Sequence, residues 1–127
     1  MVHLKINAQK KISSLKEEFN KAFPFLKLEF FKHKHKTHGA SPKEDLIRED
    51  LTIGHFRKKF IESDLEITDD MSVSSLEQLF QREYGVSTQV FRKSGRSWIE
   101  TTVTDDWTLK RQNDEGMELG NFTRSRA

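Results

Sequence analysis

The sequence predicts an α+β protein of two layers, an antiparallel sheet with two helices on one face. Three observations lead there. Two segments carry apolar residues at helical spacing, several others alternate apolar with polar, and the chain matches itself over most of its length. Leu4 to Leu65, Leu15 to Leu76 and Phe23 to Tyr84 are each 61 positions apart, and Phe31 to Phe91 is 60. Asp50 to Asp106 is 56, so the first half holds extra residues before its last element. Two copies are too few for a solenoid, which needs at least about three stacked units. The expectation is one pseudo-duplicated domain over residues 1–122, with halves at about 1–60 and 61–122 and a flexible tail at 123–127.

Each half reads as strand, helix, strand, strand and a short helical turn. Val2, Leu4 and Ile6 alternate with His3, Lys5 and Asn7, the period of a half-buried strand. Ile12, Leu15, Phe19, Ala22 and Phe23 then recur at helical spacing, opposite Lys16, Glu17, Asn20 and Lys21. Pro24 ends that helix, and Gly85 ends its counterpart. Ser14 with Glu17 and Ser75 with Gln78 have the spacing of capping boxes.

Leu26, Leu28 and Phe30 form the inward set of the next strand, repeated by Val86, Thr88 and Val90. Gly95 marks a hairpin turn into a strand over residues 98–104. The equivalent return in the first half is obscured by the polar stretch 33–44. Thr52 and Thr108 can each cap a short helical turn, over residues 53–60 and 109–113. Repeated strand-helix-strand units with right-handed crossovers suit a ferredoxin-like arrangement with added hairpin strands.

The composition narrows function mainly by exclusion. A net charge of +2 gives no bulk drive toward nucleic acid or anionic lipid, so such a partner needs a local patch. Cysteine is absent, which removes disulfides, thiolate nucleophiles and Cys-ligated metals. No run of about 18 apolar residues occurs, and residues 1–11 contain no apolar signal core, so a cytoplasmic protein without membrane contact is expected.

Residues 32–38 are the one compositional outlier. His33, His35 and His38 could place three imidazoles around zinc or copper. Lys32, Lys34 and Lys36 would repel a cation there, and the plainer reading is a solvated basic loop. The same lysines, with Arg92, Lys93 and Arg96 from the other half, could contact phosphates or a protein partner. Base stacking on a ferredoxin-like sheet needs aromatic rings on central strands, and this arrangement leaves Phe31 and Phe91 on strands at the edges. Their expected fate is burial under hairpins that carry Trp98 and Trp107. Asp105 and Asp106 read as capping residues, with Trp107 and Leu109 plugging the following turn into the core. No catalytic triad or phosphate loop is present in the pattern, and no cofactor is expected.

Residues 89–95, 98–102, 104–109 and 112–113, with 23–31 earlier, resemble a family of small uncharacterised bacterial proteins. The resemblance implies bacterial origin and a single domain, and it brings no site residues. Taken together, the residues predict a non-enzymatic interaction or regulatory module. Its open sheet edges would bind an unidentified protein or a second copy of the chain, with nucleic-acid or metal binding as the alternatives.

Overall fold

The computed structural model describes residues 2–31, 46–56 and 63–125. Among these residues the fold is α+β, with three helices and two antiparallel sheets. The order is β1 (Val2–Ile6), α1 (Ile12–Ala22), β2 (Leu26–Phe31), a 3₁₀ turn (Ile53–Phe56), β3 (Ser63–Ile67), α2 (Val73–Tyr84), β4 (Ser87–Ser94), β5 (Ser97–Glu100) and α3 (Leu109–Ser125).

Both central helices start earlier than the serine spacing predicts. The residue before α1 is Lys11, extended at φ −77° and ψ 147° and without a capping side chain. Its role is taken by carbonyls of the returning chain, since Ile12 N–H donates to Leu51 O at 3.0 Å and Ser13 N–H to Glu49 O at 3.1 Å. These bonds satisfy two of the donors that a helix start leaves free. α2 uses both devices. Ser72 Oγ accepts from Ser75 N–H at 3.0 Å, while Val73 and Ser74 donate to Trp107 O and Asp105 O. Gly85 closes α2 at φ 67°, a conformation open to glycine without strain.

The described strands fall into two sheets, where a ferredoxin-like arrangement leads one to expect a single one. β1 pairs antiparallel with β3, and β2–β4–β5 form a separate antiparallel sheet with β4 in the middle. Apolar alternation selects the buried face of a strand and is silent on its neighbour, so the error lay in the pairing. The buried faces behave as predicted. Leu4, Ile6, Leu65 and Ile67 line one ladder, and Leu26, Leu28, Phe30 and Val90 line the other. Phe30 meets Phe80 of α2 edge-on, with centroids 5.5 Å apart at 83°.

Two later elements also differ from expectation. β5 stops at Glu100, and Thr101 beyond it is buried, its N–H and its Oγ1 both donating to Val90 O, at 3.3 and 2.8 Å. The last helix spans 17 residues where a short turn is expected. After Leu109, which enters the core, the next inward positions are polar or small: Asn113 Oδ1 accepts from Phe25 N–H, Gln112 is buried, and Gly116 lets Phe25 approach. Apolar periodicity therefore does not reveal it.

Backbone bonds recur between the two halves at the offsets seen in the sequence. Ile53 N–H donates to Lys10 O and Leu109 N–H to Met71 O, both at 2.8 Å. Gly54 N–H to Ala8 O is matched by Lys110 N–H to Asp69 O, and the bridge Lys11↔Thr52 by Ser72↔Thr108.

Phe30→Ala and Phe80→Ala should each lower unfolding free energy by about 3–5 kcal/mol in urea titrations. The double variant should fall short of additivity by roughly 0.5–1.5 kcal/mol, the edge-on ring contribution. A Cβ at Gly116 would lie 2.9 Å from Phe25 Cβ and 3.2 Å from Arg92 Cγ. Gly116→Ala should therefore destabilise by about 1–3 kcal/mol through overpacking, despite its better helix propensity, as read from the thermal midpoint.

Candidate functional site

The surface of the β2–β4–β5 sheet follows from its register. Lys27 lies opposite Phe91, Phe91 opposite Glu100, and Lys93 opposite Trp98, so these side chains share one face. The Lys27 ammonium stands 5.2 Å from the ring centroids of both Phe91 and Trp98, and that of Lys93 stands 5.0 Å from Trp98. Such contacts contribute about 0.5–1 kcal/mol each at exposed sites and hold the long side chains across the strands. Lys93 thus leans from the central strand toward β5. Neither Lys93 nor Glu100 has an ion pair among the described residues.

The main-chain bonds show which edge of β5 is used. Lys93 N–H donates to Phe25 O at 2.9 Å, so Phe91 and Lys93 turn their backbone groups toward β2. Alternation turns Val90, Arg92 and Ser94 toward β5, consistent with the bond from Thr101 to Val90. On β5, Ser97 and Ile99 face β4, and the N–H and C=O of Trp98 and Glu100 face away. Among the described residues nothing pairs with this edge. Ile99 is 38% exposed beside it.

A second cluster fastens α3. Arg92 Nη1 donates to Gln112 Oε1 at 2.9 Å, and Gln112 Nε2 donates to the carbonyl and hydroxyl of Thr104, both at 2.8 Å. Trp107 lies between the guanidinium groups of Arg111, 3.7 Å away, and Arg92, 5.6 Å away. It is half-buried and clamped by cations, a correction to its expected place in the core; Leu109 is fully buried. Asp105 is buried and its carbonyl receives Ser74 N–H, while Asp106 is exposed.

The predicted contact residues therefore separate. Arg92 points inward to α3, Lys93 crosses Trp98, and Arg96 is exposed at the hairpin tip beside Gly95, whose φ is 61°. Lys32, Lys34, Lys36, His33, His35 and His38 lie outside the described residues. Among the described residues no group of three His, Asp or Glu could hold a metal ion. Phe31 is buried as expected, whereas Phe91 is half-buried under Lys27. Phe91 also belongs to the central strand of its sheet, which corrects its expected edge position. An open depression on α3, lined by Thr108, Lys110, Arg111, Asp114, Glu115 and Glu118, is helix surface with Lys110 and Asp114 paired at 2.7 Å.

At the start of β2, Lys16 of α1 donates to Glu29 at 3.0 Å and to Glu49. Burial lowers the Lys16 pKa, but the hydrogen bonds it donates to Glu49 and Glu29, with the charges of those carboxylates, outweigh it, leaving the amine above its ordinary value of 10.5. A folded-state pKa raised in this way adds stability below 10.5 that is lost as pH rises through the higher folded value. Lys16→Met should lower the urea midpoint at neutral pH, and the gap to the wild type should close in strongly alkaline buffer.

No protein family model matches the chain, and no curated protein or solved structure matches it. No helix among the described residues is long and apolar enough to cross a membrane.

Proposed function

We propose that the chain is a non-enzymatic protein-interaction module of a bacterial cytoplasm, built from two duplicated units and binding through the outer edge of β5. The duplication draws its support from the register. Leu4 pairs with Leu65 and Glu29 with Gln89, each a residue beside its own counterpart. Antiparallel pairing of a residue with its own counterpart is what two copies related by a two-fold axis would produce.

The observation that carries the binding role is the unpaired row of backbone groups at Trp98 and Glu100. An open edge is a template for strand addition, which proteins normally blunt with charge. β1 and β3 carry exposed His3 and Glu66, whereas β5 presents Ile99 and Trp98, with Glu100 as its one charge, beside donors and acceptors unpaired among the described residues. Affinity would come from main-chain bonds and selectivity from alternate side chains.

Glu100→Pro tests this reading. It removes an outward N–H and leaves the β4 ladder intact, so the far-ultraviolet dichroism should be unchanged. Extended peptides selected on the wild-type protein from a random library should lose at least tenfold in affinity for Glu100→Pro. Equal binding by the variant, or a library that yields no binder, would remove the edge as the site.

A further inference from the structure

We infer that the occupant of the β5 edge is a second copy of this chain, paired antiparallel about Ile99 to join two three-stranded sheets into one. The inference rests on the edge reading above and adds the identity of the partner. β5 reads Ser97, Trp98, Ile99, Glu100, and an antiparallel pairing centred on Ile99 sets Trp98 of each copy opposite Glu100 of the other. This is an isologous contact, in which each residue meets its partner twice across one two-fold axis.

The backbone alternation of the edge and the charges beside it both fit that register. The groups that point outward belong to Trp98 and Glu100, so these opposed residues would exchange both N–H···O=C bonds, as a hydrogen-bonded antiparallel pair requires. Ile99 then falls at the non-hydrogen-bonded position on the axis, where Cα atoms approach to about 4.5 Å and side chains are closest. Its exposed side chain meets its own copy there. On the other face, Glu100 of the second copy stands beside Trp98, about 4.8 Å further out than β5. The Lys93 ammonium already lies 5.0 Å from the Trp98 ring centroid on that side and has no ion pair among the described residues. Glu100 likewise has none, so pairing joins two complementary charges twice over. An edge of four residues buries little surface, which places the dimer among weak, reversible associations.

Sedimentation velocity of the full chain over about 10 μM to 1 mM should show a coefficient rising from the monomer toward the dimer value. Glu100→Lys and Lys93→Glu, each of which sets like charges face to face, should weaken association at least tenfold. The double reversal should restore it. The chain has no cysteine, so Ile99→Cys gives an unambiguous probe: mild oxidation should yield a covalent dimer, the axial Cα separation being within disulfide reach. A concentration-independent monomer overturns the inference, as does a dimer indifferent to both charge reversals or resistant to crosslinking through Ile99→Cys. A monomer whose selected peptides still respond to Glu100→Pro overturns self-pairing and leaves the edge reading standing. A monomer with peptides indifferent to that variant overturns both.

Discussion

The pairing of β2 with β4 is the constraint on which the remaining structure depends. Like the β1–β3 ladder it joins distant parts of the chain, and it buries Leu26, Leu28, Phe30 and Val90 beneath the helices. α1 and α2 lie against these two strands, and α3 reaches them through Asn113 and Gln112. Because β4 is held on one side by β2, its other side is free to template β5. The outer edge of this sheet, the lysines leaning over the rings and the outward backbone groups of Trp98 and Glu100 follow from that register and its continuation into β5.

Much of this was legible in the residues. Helical spacing located α1 and α2, alternation gave the inward set of β2 and β4, and Gly85 and Gly95 marked the helix end and the hairpin. Strand neighbours were not legible, because a residue such as Leu28 is equally buried whichever strand lies beside it. The length of α3 escaped for a different reason. Beyond Leu109 its inward positions are Gln112, Asn113 and Gly116, and two amides and a glycine interrupt the apolar period that would extend the helix.

The candidate site was legible in part. Lys93 and Arg96 stood out as basic residues of a hairpin, yet Arg92 turned out to serve α3, a role decided by strand parity that a charge count cannot see. The place of Lys27 beside Phe91 and Trp98 depends on cross-strand register and has no local signature. The edge itself was anticipated in kind, since a small sheet must end somewhere, but which strand ends it is a property of the assembled ladder.

The two indoles occupy chemically separate settings, and this gives the chain a pair of built-in optical gauges. Trp107 answers to the guanidinium groups that seat the carboxy-terminal helix, whereas Trp98 sits under amines at the rim of the sheet. With Trp107 replaced by phenylalanine, emission excited at wavelengths that Tyr84 does not absorb comes from Trp98 at the rim, so its colour and quenching track what approaches there without any attached dye.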